Sequence, residues 1–569
     1  MNPSAVLNDS DTGWHIRTGD YILSTGKVPM TDLYSHTMEG KPWFAWEWLA
    51  EVFMSLVHKV AGLNGVVFWA NLTFAVTFTL LFAWMVKRGG NLLAALVLSR
   101  LAGFAAALHW LARPHLFTMI LVLVWYIVLE EVQAQGRTSS IARKARWLLP
   151  LMIAVWSNLH GAFVIGEILL WIYCLGNFLT YLVSNDGQQR AEAGGLARFF
   201  GWVSVACLLA TLLNPYGVRL HLHIIQSFLT SSGWLHAITE HGSPNFHMGV
   251  VRCFEALLLA GLVVFSVSWK RLSFIELGLL GFWTHMGLYS VRHIPLYVIV
   301  VVPILVRHCT IVLEAGETDR KVQSWVQKVA AAINRYSQNL VQIEKRFDTA
   351  SYAKFAVLVM IGLCLNGGRV GSHRLLDFNF DESRFPIKAS EFVERQDLKG
   401  NLFTSDLWAG YLIYRDPRRY KVFFDGRSDM YGESFVKEYS DLSALNFNWK
   451  DVLAKYRIAW MMVPANSSLA TVLGESPEWE SAYSDSIARV FTRRGETGSE
   501  KVGSFDHRSP MGTDASWQFP RSTGASHGFD CLWGTLRVQT LQTASRTIPT
   551  DILLWPARRS SKMMGNSSA

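Results

Sequence analysis

The chain has 569 residues, half of them hydrophobic and only 17% charged, and a formal net charge of +9. Its mean hydropathy is +0.20, and apolar runs long enough to cross a bilayer recur along it, which excludes an ordinary soluble domain and reads as a multi-pass membrane protein. The basic residues gather in short loops between those runs, and no nucleic-acid motif accompanies them, so no nucleic-acid partner is expected. The six cysteines show no C-x-x-C and no pairing pattern, so neither a disulfide framework nor a zinc site is expected.

Residues 1–63 precede the first span and contain Asn8-Asp9-Ser10-Asp11-Thr12-Gly13-Trp14-His15. A D-x-D pair holds a divalent cation through oxygen ligands, or places one carboxylate as a general base. A solvated acidic turn is the plain alternative. Gly19 to Leu23 and Trp43 to Val60 read as short interfacial helices, with Trp43, Trp46 and Trp48 at headgroup depth. No basic start leads into an apolar core, so no signal peptide is expected.

Ten spans follow, at 66–86, 91–112, 116–133, 147–159, 162–183, 199–213, 253–269, 272–289, 294–306 and 352–367. The short segment 147–159 is expected to be a half-span or broken helix, buried or lining a cavity. Arg100 falls inside the second span, where an arginine usually faces the bundle interior or a wet cavity. The loops at 87–90, 134–146, 184–198, 270–271 and 307–351 carry 17 Lys and Arg, the opposite loops four. The first set is therefore cytoplasmic, and residues 1–63 and all that follows 367 face outward. An outward N-terminal segment without a signal peptide implies a missing first span; direct translocation is the alternative.

The fold class expected is mainly α: a polytopic membrane helix bundle of about ten spans with a small C-terminal external α/β domain. The bundle occupies 64–306, a cytoplasmic amphipathic linker 307–351, the last transmembrane helix 352–367 and the α/β domain 368–495. In that domain, strands are expected at Phe403 to Asp406, Gly410 to Tyr414, Lys421 to Asp425 and Ala459 to Val463, and helices at 388–396 and 433–456. Residues 496–569 are rich in Ser, Thr and Gly and read as a disordered tail or an out-of-frame extension.

The polar motifs of the spans fall on the outward side. They are Arg113-Pro114-His115, Asn158-Leu159-His160-Gly161, Asn214-Pro215-Tyr216-Gly217, Glu240-His241-Gly242 and Arg292-His293-Ile294-Pro295. Each alone is ordinary turn punctuation or an interface histidine. Together they place Arg, His, Asn and Glu beside the acidic loop, and the cytoplasmic side shows no comparable set. Asp9, Asp11, Arg113, His115, His160, Glu240 and Arg292 are expected to line one outward cavity. Asp425-Gly426-Arg427 follows an expected strand, as a ligand loop or as a turn closed by its own Asp–Arg pair.

These motifs resemble the GT-C class of multi-pass membrane glycosyltransferases, and in particular an uncharacterised bacterial membrane protein group of that style. The group's first outward loop reads D-x-D-x-W-W-H, T-G, P-x-x-D-x-x-S and E-W-L. The chain has Asp9, Asp11, Trp14 and His15, then Thr18-Gly19, Pro29, Asp32 and Ser35, then Glu47-Trp48-Leu49. R-P-H, N-x-H-G, N-P-Y-G, R-H-I-P-L and F-x-D-G-R match as well. Gly13 replaces the first Trp, Trp46 stands where a His is usual, and the usual first span is absent. The resemblance implies a cell-membrane enzyme that moves a sugar from a polyprenyl-phosphate donor to an acceptor on the external face. Membrane lipid and a polyprenyl-phosphate-linked sugar are the implied partners. Asp11 would be the catalytic base, with Asp9 assisting or the two holding a divalent cation. His15, Arg113, His115, Asn158, His160, Glu240, Arg292 and His293 would bind substrate. Arg suits bidentate phosphate contact, and no Gly-rich nucleotide loop is present. A lipid or glycan transporter (a flippase) is the alternative, which calls for internal repeats and charges near the midplane. A non-catalytic scaffold with an external binding domain is another.

Overall fold

The computed structural model describes residues 3–230, 242–318, 323–344 and 349–494. Met1–Ser504 form one compact unit, and Phe505–Ala569 lie outside the described residues, as does all of the expected tail, 496–569.

Thirteen helices make the first part: α1 (Asp11–Thr25), α2 (Trp48–Lys87), α3 (Leu92–Ala106), α4 (His115–Gln135), α5 (Ser140–Leu159), α6 (Val164–Val183), α7 (Gly187–Ala210), α8 (Val218–Thr230), α9 (Val251–Ser268), α10 (Phe274–Tyr289), α11 (Ile294–Thr318), α12 (Ser324–Glu344) and α13 (Thr349–Leu365). Seven of them, α2, α3, α4, α6, α7, α9 and α11, are long and apolar enough to cross a membrane. The remaining expected spans also fall on helices. Segment 147–159 lies in α5, which contains Pro150, while α10 and the apolar stretch of α13 are shorter. The chain is thus a polytopic helical membrane protein. Capping sets several starts: Asn91 accepts from two backbone N–H groups of α3, Ser139 caps α5, and Ser273 and Glu276 form a capping box on α10. Helix α2 is two helices joined at a kink, with Gly62 at φ +60°. Its first part covers most of the helix expected at Trp43 to Val60, starting at Trp48, and its second covers the first expected span. Arg100 faces outward from α3 over the ring of Phe104, not into the bundle. Its three-methylene stem lets the guanidinium snorkel along the helix surface towards a headgroup.

The C-terminal part opens with a hairpin, β1 (Arg369–Val370) and β2 (His373–Arg374). Then come α14 (Ile387–Gln396), β3 (Asn401–Thr404), α15 (Asp406–Arg415), α16 (Ser428–Tyr431), α17 (Glu433–Ser443), α18 (Trp449–Lys455), β4 (Ile458–Pro464), α19 (Ser468–Glu475), β5 (Trp479–Ser484) and β6 (Ala488–Arg493). The sheet order is β3-β4-β6-β5; β3 and β4 are parallel and the other pairs antiparallel. Two expected strands are corrected. Gly410 to Tyr414 is part of α15, which Ser405 caps and which buries six consecutive residues from Trp408 to Ile413. A segment buried all round reads alike as core helix or core strand from its apolar run. Lys421 to Asp425 is extended without joining the sheet; Val422 instead bridges to Ser35. The expected helix 433–456 is broken between α17 and α18, where Leu445 takes φ +58°.

The N-terminal 47 residues are built into the C-terminal part. Helix α1 lies along α2 and α15, and Arg17 donates to the carbonyl of Tyr414 at the end of α15. Tyr34 and His36 exchange backbone hydrogen bonds with Val422, Lys421 donates to the Leu33 carbonyl, and Thr37 donates to that of Phe423. Trp43 is therefore buried against this domain.

Candidate functional site

Asp11 is the first residue of α1, where the exposed N–H groups of a helix favour a carboxylate. Ser10 makes no side-chain cap; Asp9 Oδ1 accepts from Asp11 N at 2.9 Å in its place. Thr12 donates to the Ala112 carbonyl, which holds the turn before α4 against α1. Arg113 is thereby brought to the acidic pair. Its Nη2 pairs with Asp9 and lies 3.0 Å from Asp11 Oδ2. One guanidinium serves both carboxylates of the D-x-D motif.

One turn further along α1, His15 faces two carboxyls of a different segment. Its Nδ1 is 3.3 Å from Glu51 Oε1 and its Nε2 3.7 Å from Glu47 Oε2. Glu47 Oε1 is in turn 3.3 Å from His160 Nε2. His160 Nδ1 accepts from Ala162 N and sits 2.9 Å from Thr118 Oγ1, which itself accepts from Trp156 Nε1. With Nδ1 taken by donors, neutral His160 presents its single N–H to Glu47. Burial first, then neighbouring positive charge, holds both imidazoles well below the usual histidine range. Burial lifts the Glu47 carboxyl to about 8, against the pull of Arg292 and Arg113. The run from Glu51 to Thr118 is a continuous chain of buried polar groups that joins α1, α2, α4 and the end of α5.

The N-P-Y-G turn sets Glu47 in place. Asn214 closes it by accepting from Tyr216 N and donating to the Thr211 and Gly217 carbonyls. The Tyr216 hydroxyl then accepts from Ala45 N at 2.8 Å. Trp48 and Asn158 pin the other side, with Trp48 Nε1 donating to Asn158 Oδ1 at 2.7 Å. Beside them runs an apolar groove of about 570 Å³, lined by Leu49, Ala154, Val155 and Leu212 together with Trp48 and Asn158.

The D-G-R turn of the C-terminal domain closes the site from the other face. It is a turn held by its own Asp–Arg pair: Arg427 donates through Nε and Nη2 to the two oxygens of Asp425 at 2.9 and 2.6 Å. Arg427 Nη2 also reaches Asp32 at 2.7 Å, and the guanidinium lies over the Trp43 and Tyr34 rings. The P-x-x-D-x-x-S motif is the receiver for this arginine, because Asp32 is fixed by Tyr34 N, Ser35 N and the Ser35 hydroxyl. Burial alone would raise the Asp32 carboxyl, but Arg427 and these hydrogen bonds hold it below the usual carboxylate range. Between Asp425 and Arg427, Gly426 backs directly onto Asp11: a Cβ there would stand 2.3 Å from Asp11 Oδ1.

Of the residues expected to converge, Asp9, Asp11 and Arg113 meet in one contact cluster, and His15 and His160 meet on Glu47. Arg292 acts electrostatically on both Glu47 and His160. His115 accompanies them and touches the His109 carbonyl through Nε2 at 2.7 Å. Asn158 spends its polar atoms on Trp48, Ala154 and Leu213, which makes it a clamp between helices. His293 sits next to Arg292 in the turn before α11, with no contact to either cluster among the described residues. Glu240 lies outside the described residues. As placed, Asp9 and Asp11 do not fit a divalent cation. The Arg113 guanidinium takes that position, and no group of three or more His, Cys, Asp or Glu is arranged to hold a metal among the described residues. Sequence reasoning passed over Glu47 and Glu51, although Glu47 opens the E-W-L element. Their i,i+4 spacing before an apolar run was the available signal. His223 was passed over as well; it stacks on Phe44 and lies 3.2 Å from Asp429.

The expectation that the other end of the bundle carries no comparable polar set is overturned. There Arg88 pairs with Glu130 and Glu131, Tyr173 donates to Glu130, and Glu276 contacts Arg307 and His308. These groups close helix ends: Glu276 belongs to the capping box of α10, and His308 meets Ser268 at the end of α9.

Comparison with known proteins places these observations beside two kinds of solved structure. No family model matches the chain, and no curated protein matches it. The chain is similar to the apo oligosaccharyltransferase of Archaeoglobus fulgidus, at 10% identity and TM-score 0.45, over 80% of this chain and 66% of that one. The oligosaccharyltransferase AglB of the same organism, in complex with an inhibitory peptide and a dolichol-phosphate, matches at 9% identity and TM-score 0.45, over 80% and 65%. ArnT from Cupriavidus metallidurans bound to undecaprenyl phosphate matches at 14% identity and TM-score 0.41, over 86% and 95%. The chain spans just under two thirds of the length of the archaeal structures.

Proposed function

We propose that the chain is a membrane glycosyltransferase that moves a sugar from a polyprenyl-phosphate donor to an acceptor at the Asp11 end of the bundle, on the external face of the membrane. One observation supports the reading: the buried ionic cluster around Glu47 and His160 lies next to an apolar groove, whose lining residues Trp48 and Asn158 stand one residue after Glu47 and two before His160 in the chain. A lipid phosphate has that same division, an anionic head on an apolar tail. The motif resemblance supports the same substrate class.

In this reading the tail lies along the groove and the phosphate sits towards Arg292 and Arg113. Arginine matches phosphate oxygens through its planar fork. The acceptor oxygen attacks the anomeric carbon and the bond from that carbon to the phosphate oxygen breaks. The electron pair leaves with the phosphate, and the acceptor proton passes to Asp11. Asp9 orients this carboxylate through the first turn of α1, and Gly426 supports it from behind. The C-terminal domain closes the mouth over the reacting atoms.

The test has two stages. Undecaprenyl phosphate is titrated into the detergent-purified protein, and transfer is then followed with labelled polyprenyl-phosphate sugars. Saturable binding and transfer that Asp11→Asn abolishes are expected. Absence of both binding and transfer in the wild type overturns the proposal.

A further inference from the structure

Helix α12 turns its polar residues inward. Ala330 and Ser337 are buried, and Ser337 Oγ accepts from Leu92 N at 2.8 Å. Asn334 accepts from Asn91 Nδ2 at 3.0 Å and donates to Glu317 at 2.8 Å. The opposite face carries Trp325, Val329, Ala332 and Tyr336, all exposed, the first at 63% and the last at 57%. At about 100° per residue these four side chains fall within about 60° of arc. Lys328 and Arg335, also exposed, flank them on one side, and the half-buried Ile333 and Leu340 flank them on the other. A helix that merely linked two spans through water would do the reverse, with its aromatic residues against the protein and its amides in solvent.

The inner contacts fix the height of this outer face. Asn91 caps the start of α3, and Gly316 and Glu317 lie in the last turn of α11. A Cβ on Gly316 would stand 3.7 Å from that of Ala330. An apolar core about 30 Å thick takes about 20 residues of helix, so a count from Ile294, where α11 begins, reaches the far edge at about residue 314. Asn334 and Ser337 therefore dock where the hydrocarbon ends, at the end of the bundle away from Asp11.

We infer that α12 is a membrane-surface helix whose outer face binds anionic lipid headgroups at this end of the bundle. Trp325 and Tyr336 suit the boundary between headgroup and hydrocarbon. Ile333 and Leu340 give the flank that meets the acyl chains, and Lys328 and Arg335 carry their charges on long apolar stems to the lipid phosphates. No Asp or Glu occurs from Ser324 to Gln342, and Glu317 beside the helix is bonded to Asn334 on the inner face. The outer face is thus cationic without an internal counter-charge, which is the complement of an anionic leaflet. A protein partner would have to supply acidic and apolar surface side by side; the bilayer that this chain crosses has both at this height. The contact seats the link between α11 and α13 on the membrane, and α13 leads into the C-terminal domain. The inference does not depend on the transfer reaction.

Lipid quenching in the full-length protein, freed of its native cysteines and held in nanodiscs, tests this. A bimane fluorophore is attached at Ala332→Cys, in the middle of the outer face, or at Gln338→Cys, exposed beyond the cationic flank. The nanodiscs contain phosphatidylglycerol or phosphatidylcholine with brominated acyl chains. At position 332 the brominated phosphatidylglycerol is expected to quench about threefold or more better than the phosphatidylcholine, and raised salt to narrow the gap. At position 338 neither lipid should quench appreciably. With Lys328→Gln and Arg335→Gln added, position 332 should be quenched equally by both lipids, because the apolar stripe remains and the charge is gone. No quenching at 332 by either lipid means that the face stands in water or under a protein segment, and overturns the inference. Equal quenching without the charge substitutions, or a preference that survives them, overturns the assignment to anionic headgroups.

Discussion

Gly13 and Gly410 meet backbone to backbone. A Cβ on Gly13 would stand 2.3 Å from the Gly410 carbonyl oxygen, and one on Gly410 would stand 2.3 Å from that of Ser10. This close crossing of α1 and α15 accounts for the departure from the W-W-H pattern at position 13. Gly13→Ala and Gly410→Ala are each expected to destabilise the protein by about 1–3 kcal/mol, the usual cost of overpacking. Thermal unfolding in detergent checks this, and an unchanged midpoint for both variants would show that the helices do not cross here.

Gly426→Ala acts on chemistry more than on folding. Its new methyl group would occupy the space of the Asp11 carboxylate. Displacement of a positioned catalytic group by about 1 Å costs on the order of 10²-fold in rate. The expected outcome is that loss in transfer with undecaprenyl phosphate binding retained. Asp11→Asn is expected to lose about 10²–10⁴-fold, as for a removed general base. Wild-type rates in either variant would remove Asp11 from the mechanism.

Arg427 is 2% exposed and holds Asp32 and Asp425 together. Arg427→Ala strands two buried carboxylates, an event that typically costs about 3–5 kcal/mol. Arg427→Lys keeps the charge but not the fork that spans both oxygens of Asp425, so it is expected to recover only part of that loss. Limited proteolysis reports the consequence: cleavage within residues 26–42 should appear in Arg427→Ala before any cut in the helical bundle. Equal resistance in wild type and variant would contradict the clamp.

Glu47 gives stability a pH dependence of known sign. Its carboxyl titrates at about 8 in the folded protein, above the ordinary value of 4.5. Between those values the folded protein keeps a proton that the unfolded chain has released, so stability falls as pH rises. Below 4.5 the group contributes nothing, and above about 8 its full cost is present. Glu47→Gln removes the dependence, so its melting point is expected to gain on that of the wild type from pH 5 to pH 8.5. A constant difference across that range would count against the shift.

Orientation is testable at two positions. Val329 is half-exposed on α12, and Phe447 is fully exposed on the C-terminal domain. In a background freed of the native cysteines, Phe447→Cys is expected to react with an impermeant thiol reagent in intact cells. Val329→Cys should react only after permeabilisation. The reverse pattern would invert the topology drawn from the loop charges.

The helical bundle and the nearness of Asp9, Asp11 and Arg113 were legible because each rests on local composition: apolar runs, and polar motifs at ends of helices that alternate direction. Glu47 was harder to see. Its neighbours His15 and His160 lie 32 and 113 residues away in the chain, and only the Tyr216 and Asn158 anchors bring them together. The D-G-R turn showed its own Asp–Arg pair in the sequence. That Asp32 completes it depends on a contact across nearly 400 residues, which no spacing rule contains. The strand β5 was missed because half of its residues are exposed and it shows little apolar alternation. The polar set at the far end of the bundle was missed for a related reason: Glu130, Glu276 and Arg307 sit on three helices that share no motif.

The contact between Gly426 and Asp11 joins two points of the chain 415 residues apart. At about 5–20 residues per second, the ribosome needs roughly 20–80 s to travel from one to the other. Through all that time the D-x-D segment exists without its lid, while the helices around it are already entering the membrane. The site therefore cannot mature helix by helix. Its closure over Asp11 waits until residue 426 has been made, and a chain stalled before that residue lacks this contact. Pulse-labelled cells should accordingly contain a membrane-integrated but protease-sensitive precursor, whose conversion to the resistant form follows completion of the C-terminal domain.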